Sequence, residues 1–397
     1  MKTRYLQISK IISKKMKKYL YLALAVFAMT ACTNEGDINT PSNQKEIGFN
    51  ASIRNTTRAA DGYCNNNRPS ELQVWACVEG EDGNYKPYFN DEKYSFVEGS
   101  ESYYTSDLKR YWPNKNLRFF AFPSKHSSCI SNCQWTADGT TLELDWSNPG
   151  SASKNVDFIY ASSGDILGGE EFNGSYYAPL NFRHALAQIE FKAATTADDY
   201  YVEVYAVGFT QIFNKGHYVF PIDTYDYYDG HNEFAGNEYR TNRGTWSNLS
   251  SPGMVRIDLP TISFVKNDGT VSLTEKDTET YLDATDAGTA SGKNIAKEYN
   301  KNTLYVIPQD PRGSNRMIQL AFNVWKMSDP SKGHQATDTR IFPRGDTGYG
   351  VQNFAIPNEW VEGKHYIYTI TINPSDELKF SLNVDDFDIS SNEVVTY

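Results

Sequence analysis

Residues 47–53 read IGFNASI, so apolar side chains stand at every second position of the segment. Such alternation is typical of a half-buried β-strand with one face on a core. Turn-forming clusters separate further runs with the same period, and no segment predicts an amphipathic helix longer than three turns. The sequence therefore predicts an all-β protein made of antiparallel β-sandwiches. The further alternating runs begin at Leu72, Leu117, Val202, Val255, Ile318 and Tyr366.

The composition excludes several classes of protein. A chain of 397 residues is long enough for two or three domains. An aromatic content of 14% argues against a disordered chain, because disordered segments lack the aromatic side chains that offset ordering entropy. The net charge of −11 argues against nucleic acid as a partner, since phosphate binding needs clustered Lys and Arg.

The first 31 residues differ from the rest of the chain. They carry seven basic side chains and no acidic one, and an apolar run extends from Tyr19 to Ala28. This pattern predicts a secretory signal peptide over residues 1–31, too short for a membrane-spanning helix. Ala31 followed by Cys32 resembles the lipobox of bacterial lipoproteins, which implies lipidation of Cys32 and a lipid anchor. A polar tether over residues 32–45 follows, and an ordinary signal with a coincidental cysteine is the alternative.

Four further cysteines, Cys64, Cys77, Cys129 and Cys133, make an even number in an exported chain once Cys32 is lipidated. The oxidising compartment favours at least one disulfide among them. Cys129 with Cys133 would close a small loop and Cys64 with Cys77 a larger one, but all three connectivities remain open. A zinc site is less favoured, because the chain has no CxxC pair.

No constellation of catalytic residues is present in the sequence. There is no Gly-x-Ser-x-Gly elbow and no His-Glu-x-x-His pattern, and the six histidines form no recognisable group. His184 lies within an apolar run and is interpreted as a hydrogen-bonded core or interface residue. We therefore predict a protein without enzymatic activity, cofactor or metal.

Paired tyrosines are candidates for stacking on sugars. Neighbouring residues of a strand point to opposite faces, so one member of each pair at 176–177 and 200–201 is predicted to lie in a core. The cluster at 225–228 stands in a turn-rich stretch and is the better candidate for adhesion.

Five features in this order resemble the fimbrillin-like family of type V pili. Besides the lipobox they are the strand at 47–53 that leads to TTRA at 56–59, FRHALAQI at 182–189, LYVIPQ at 304–309, and WVEGKHY at 360–366. The resemblance implies export as a lipoprotein and two tandem transthyretin-like β-sandwich domains. It also implies removal of the first strand by an arginine-specific protease, followed by polymerisation through strand exchange.

Within this resemblance, cleavage between Arg58 and Ala59 would remove the first strand, with Arg54 and Arg68 as alternative sites. A sheet that loses a strand exposes unpaired backbone groups and an apolar groove, which form a template for another chain. The apolar side chains of the displaced strand are Ile47, Phe49, Ala51 and Ile53.

The C-terminal residues offer a candidate donor strand. Side chains alternate from Leu378 to Val384, which is compatible with a last strand of the chain's own sandwich. Donor duty is therefore assigned to residues 384–397, whose alternate apolar side chains suit strand addition. The proposed donor side chains are Val384, Phe387, Ile389, Val394 and Val395.

These observations predict an N-terminal sandwich over residues 46–180 and a C-terminal sandwich over residues 181–397. The first hypothesis is a subunit of a type V pilus, present first as an outer-membrane lipoprotein precursor and then in the fimbrium. Its partners are other pilus subunits and a host or bacterial surface ligand. The alternative is a permanently anchored surface lipoprotein that binds glycans through exposed aromatic side chains.

Overall fold

The computed structural model describes most of the chain beyond residue 44. The described residues are 45–53, 69–98, 100, 103–148, 156–168, 177–224, 243–273, 304–313, 315–345, 348–373, 379–386 and 392–395. Glu46–Tyr397 form one compact unit. Within the described ranges, no helix is long and apolar enough to cross a membrane.

The first ten strands come from the N-terminal half of the chain. They are β1 (Gly48–Ile53), β2 (Glu71–Glu79), β3 (Tyr85–Phe96), β4 (Tyr103–Thr105), β5 (Asn116–Pro123), β6 (Ile130–Trp135), β7 (Leu142–Ser147), β8 (Ile159–Ser162), β9 (Ile166–Leu167) and β10 (Tyr177–His184).

Eleven further strands follow. They are β11 (Ala187–Thr195), β12 (Tyr200–Val219), β13 (Thr245–Phe264), β14 (Val271–Ser272), β15 (Leu304–Val306), β16 (Met317–Lys326), β17 (Thr339–Phe342), β18 (Gly350–Ala355), β19 (His365–Asn373), β20 (Lys379–Asp386) and β21 (Asn392–Val395). The helical elements of the described chain are 3-10 turns at Ser124–His126, Lys266–Asp268 and Pro330–Lys332. The prediction of an all-β protein is therefore confirmed.

The strands form three sheets. The first has the order β2-β3-β4-β1-β10-β8-β5-β9, and it closes on itself because β2 also pairs with β5. The second has the order β14-β11-β19-β20-β21, with β15 also on β11. The third has the order β17-β16-β12-β7-β6, with β13 on β12 and β18 on β16.

The prediction of purely antiparallel sheets is wrong at two places. β1 pairs in parallel with β10, and β11 pairs in parallel with β19. In both pairs more than 120 residues separate the partners, as the strand bounds show, so no tight hairpin imposes the antiparallel direction. Period-two alternation reports that a strand has one buried face, but it does not report the direction of the neighbouring strand.

Three groups of buried apolar side chains stabilise the fold. The N-terminal core lies inside the first sheet and includes Phe49, Leu72 and Phe119. The C-terminal core lies between the second and third sheets and includes Phe209 and Tyr368. The bridging cluster joins side chains from both halves of the chain, among them Trp75, Phe120, Trp146, Phe158, Tyr160, Tyr218, Phe220 and Tyr305.

Strands β6 and β7 belong to the N-terminal half of the sequence but lie in the third sheet. β7 pairs with β12, for example Leu144 with Tyr218, and β6 pairs with β7. The predicted boundary between residues 180 and 181 falls inside β10. The division into domains at 46–180 and 181–397 stays a prediction.

Three of the cysteines are free thiols. Cys77 and Cys129 are buried and Cys133 is half-buried, and the bond between Cys129 and Cys133, one of the pairings that the sequence left open, is not formed in the structure. Burial raises the pKa of the Cys77 thiol to about 12 and that of Cys133 to about 12, which keeps both protonated and unreactive. Cys64 lies outside the described residues, as does Cys32.

Candidate functional site

Strand β1 fills the N-terminal core with alternate side chains. Ile47, Phe49 and Ala51 are 1%, 0% and 6% exposed. The Phe49 ring meets two other rings edge-on, that of Tyr94 at 4.7 Å and that of Phe119 at 4.9 Å. These three predicted side chains thus form one buried face, while Ile53 ends the strand.

Both edges of β1 are paired. On one edge all six residues pair with β10, from Gly48 with Tyr177 to Ile53 with Phe182. On the other edge only Phe49 and Asn50 pair with β4. Removal of β1 would therefore leave two strand edges facing an empty apolar slot, which we call the β1 slot.

The start of β1 is fixed by the segment before β5. The Ile47 amide donates to the Arg110 carbonyl at 2.7 Å, and Glu46 bridges to Tyr111 and lies 3.2 Å from the Lys109 ammonium. The Arg110 guanidinium in turn binds the carboxylate of Glu92 on β3, with its Nε 2.9 Å from Oε1. The hydrogen bond to that carboxylate raises the pKa of Arg110.

Sequence reasoning missed Arg110 and Glu92. The segment around Arg110 shows no alternation, and Glu92 stands in a polar stretch of β3, where the sequence alone gives no sign that it is buried. Glu92 is 7% exposed, and the guanidinium of Arg110 is its ion-pair partner.

The residues predicted for processing come after β1. Arg58 and Ala59, with the alternatives Arg54 and Arg68, lie outside the described residues, between the end of β1 and the start of β2. A cut anywhere in this segment separates β1 from the rest of the fold in covalent terms.

The predicted donor segment falls on two strands. Val384 lies in β20 and pairs with Tyr368 of β19, so this residue belongs to the chain's own second sheet. Val394 and Val395 lie in β21, which among the described strands is the outermost of that sheet and pairs with β20 alone. Phe387 and Ile389 lie outside the described residues.

Two of the sequence motifs, LYVIPQ at 304–309 and WVEGKHY at 360–366, make hydrogen bonds and ring contacts with the C-terminal half of the fold. The Gln309 side chain accepts from the Phe213 amide at 3.0 Å and donates to the Phe213 carbonyl at 3.2 Å. Trp360 is buried against the ring of Phe209 at 4.7 Å, and its Nε1 donates to the Tyr368 hydroxyl at 2.8 Å. Both motifs therefore have a packing role.

His184, which the sequence predicts to be a hydrogen-bonded core or interface residue, is the last residue of β10 and is half-buried. Its ring binds the carboxylate of Asp157. Burial lowers the pKa of His184, but the Asp157 carboxylate outweighs burial and raises it overall. The contact between His184 and Asp157 is a structural one.

The tyrosine pair at 200–201 is divided between core and surface. Tyr200 is buried while Tyr201 is half-buried and stacks on His334 at 4.2 Å, as predicted for neighbours on a strand. Tyr177 stacks on Tyr103, and Tyr176 lies outside the described residues together with the cluster at 225–228. No group of three or more metal-ligating side chains occurs in the described part of the chain.

The family comparison decides the class of the protein, because the model of the fimbrillin-like family matches residues 57–386. The chain belongs to the fimbrillin-like family. Membership of this family supports a fimbrial or adhesive subunit at the cell surface, with a structural role. The resemblance read from the five sequence features is confirmed.

Several proteins of known structure are similar to most of the chain at low sequence identity. A candidate cell adhesion protein from Bacteroides uniformis is 13% identical, with 88% of this chain and 100% of that chain covered and a TM-score of 0.41. One from Bacteroides ovatus is 13% identical, with 88% of this chain and 100% of that chain covered and a TM-score of 0.42. The fimbrial anchor protein Mfa2 from Porphyromonas gingivalis is 9% identical, with 89% of this chain and 100% of that chain covered and a TM-score of 0.31. No curated protein matches the chain.

Proposed function

We propose that this fimbrillin-like chain is a structural and adhesive subunit of a type V pilus that polymerises by strand exchange at the β1 slot. It is exported as an outer-membrane lipoprotein through Cys32, and cleavage after Arg58 frees it from the anchor. The observation that carries the proposal is the position of β1. The buried face of this strand fills the N-terminal core, yet its covalent connection to the later strands runs through the segment that contains the candidate arginines.

The energetics favour replacement of β1 over an empty slot. Full burial of an Ile or Phe side chain stabilises a fold by about 1.5 to 3 kcal/mol. Ile47 and Phe49 are both buried, and the backbone groups on the two edges also need partners. A slot without β1 therefore favours an incoming strand with alternate apolar side chains.

The donor is proposed to come from the C-terminal end. β21 is a short strand at a sheet edge with one neighbour, so its release breaks fewer contacts than the release of β20. We propose that the residues after Asp386 form the donor strand, including Phe387, Ile389, Val394 and Val395. Val384 remains with β20, where it pairs with β19. Two tandem transthyretin-like domains remain part of the proposal.

Truncation after Asp386 tests the donor. The shortened chain keeps β20 and is expected to fold, but not to enter the heat-labile ladder of polymers that the full chain forms together with other pilus subunits in gel electrophoresis. Thermal unfolding of the same sample shows whether the fold is intact. Polymer formation equal to that of the full chain would contradict the proposal.

A further inference from the structure

Two tyrosines on the strands that flank β1 meet across it. Tyr103 on β4 and Tyr177 on β10 stack with ring centroids 4.5 Å apart and ring planes at 13°. Tyr177 is the register partner of Gly48, and Tyr103 that of Asn50. Because Ile47, Phe49 and Ala51 face the core, the two rings lie on the opposite, outer face of the sheet.

This stack is possible only because β1 has no side chain beneath it. A Cβ atom at Gly48 would overlap two carbons of the Tyr177 ring and would lie 3.2 Å from the Tyr104 carbonyl oxygen. The backbone of Gly48 is not in the left-handed region, so space and not conformation requires the glycine. A glycine within a strand commonly marks such a close approach, since it otherwise weakens the strand.

We infer that the Tyr103–Tyr177 stack sets the register of any strand in the β1 slot and selects a strand with glycine beneath the rings. The inference rests on the proposed strand exchange. The slot then accepts an apolar-Gly-apolar segment, as β1 itself provides with Ile47, Gly48 and Phe49. A strand shifted by two residues would keep its apolar face inward but would place a side chain under the rings.

The chain's own C-terminal segment does not satisfy this requirement. Residues 384–397 contain no glycine. The strand that fills the β1 slot therefore comes from a different subunit, and this chain donates its own C-terminal strand to a neighbour of another kind. Assembly at this slot is heterotypic.

A double-mutant cycle in the full chain measures the stack without any partner. Gly48→Ala is expected to reduce the equilibrium constant for folding by about 3- to 10-fold, which corresponds to the loss of one aromatic pair. In the Tyr177→Ala background the same substitution should cost clearly less, because only the close contact with the Tyr104 carbonyl oxygen remains. Tyr177→Phe is the matched control, because it keeps the ring and should keep the full penalty. An equal cost of Gly48→Ala in the Tyr177→Ala and wild-type chains would overturn the inference.

Peptide exchange tests selection of the partner. The full chain is opened between β1 and β2 with an arginine-specific protease, and labelled peptides of residues 45–53 are exchanged into it. The wild-type peptide should bind about 3- to 10-fold more tightly than its Gly48→Ala form, and Tyr177→Ala should abolish the difference. A peptide of residues 384–397 should bind no better than the alanine form.

The outcomes separate this inference from the proposed function. Equal binding of the glycine and alanine peptides to the wild-type chain would overturn the selection and leave strand exchange intact. Tighter binding of the 384–397 peptide than of the wild-type β1 peptide would overturn heterotypic assembly. Failure of every peptide to exchange would contradict strand exchange itself, and with it the selection of a partner.

Discussion

The Tyr160 hydroxyl donates a 2.5 Å hydrogen bond to the carboxylate of Glu362, which lies 202 residues further along the chain. Tyr218 donates to the same oxygen at 3.1 Å. This contact lies among the rings of the bridging cluster, to which β8 contributes Tyr160 and β12 contributes Tyr218. A single buried carboxyl thus links strands of the first and third sheets.

The stability of the protein is expected to depend on pH through Glu362. Burial raises the pKa of this carboxyl to about 7 from an ordinary value of 4.5, although the two tyrosines oppose the shift. The folded state then keeps a proton that the unfolded state releases between about pH 4.5 and 7. The free energy of unfolding should fall as the pH rises through this window, by about 2 to 3 kcal/mol between pH 5 and 8.

Urea unfolding of Glu362→Gln at both pH values measures this dependence, because glutamine does not titrate. The difference in the free energy of unfolding between wild type and variant should change by about 2 to 3 kcal/mol between pH 5 and 8. Glu359→Gln, in a side chain 57% exposed, is the control and should show no such change. A pH-independent difference for Glu362→Gln would contradict the assignment.

His126 is expected to limit stability in acid. It is fully buried against Trp146 and Phe158, its ring nitrogens have no hydrogen-bond partner, and burial lowers its pKa to about 3. The folded state must therefore hold it neutral while the unfolded state takes a proton below about pH 6.5. Stability should fall as the pH decreases from 6.5 towards 3, by about 3 kcal/mol between pH 7 and 4.

His126→Phe should remove this loss, since phenylalanine suits the aromatic surroundings and carries no titrating group. Thermal unfolding at pH 7 gives the cost of the added volume alone. At pH 4 the stability of the variant relative to wild type should be higher than it is at pH 7. An identical difference at both pH values would show that His126 does not titrate on unfolding.

The anchoring of β1 depends on Arg110. Arg110→Ala leaves the buried Glu92 carboxylate without its charged partner, which we expect to destabilise the fold by about 1 to 3 kcal/mol. Arg312→Ala is the matched control, because its ion pairs are about half exposed and should contribute much less to stability. Equal costs in urea unfolding would contradict the anchoring role.

Phe49 contributes most of the buried ring contacts of β1. Phe49→Ala should reduce the free energy of unfolding by about 3 to 5 kcal/mol, because it leaves a cavity against Tyr94 and Phe119. Val351→Ala is the control, since this side chain is 46% exposed and should cost less than about 1 kcal/mol. A small effect at Phe49 would mean that β1 does not fill the core.

The alternating pattern predicted the strands and one buried face of each. It did not predict that the opposite face of some strands is buried as well. The alternation from Leu72 identified β2, yet Trp75 and Cys77 on its other face are also buried, because the bridging cluster covers that face. In β12 only a short run after Val202 was visible. Irregular pairing between Val204 and Ala206 shifts the alternation, so the pattern does not persist over the 20 residues of the strand.

The candidate site could be predicted only in part, because the sequence indicates the faces of single strands but not their distant partners. The buried face of β1 follows from its period of two. Gly48 carried a signal, since a glycine within a strand indicates a close approach, but the ring that approaches it comes from Tyr177, far along the chain. The pairing of β7 with β12 depends on tertiary packing between segments about 70 residues apart, and no local pattern encodes it.

The N-terminus and mass of the protein recovered from assembled fimbriae test the central claim most directly. Strand exchange after cleavage at Arg58 predicts a polypeptide that begins at Ala59, without β1 and without an acyl chain. Polymers whose subunits retain residues 32–58 and an acylated Cys32 would contradict the account.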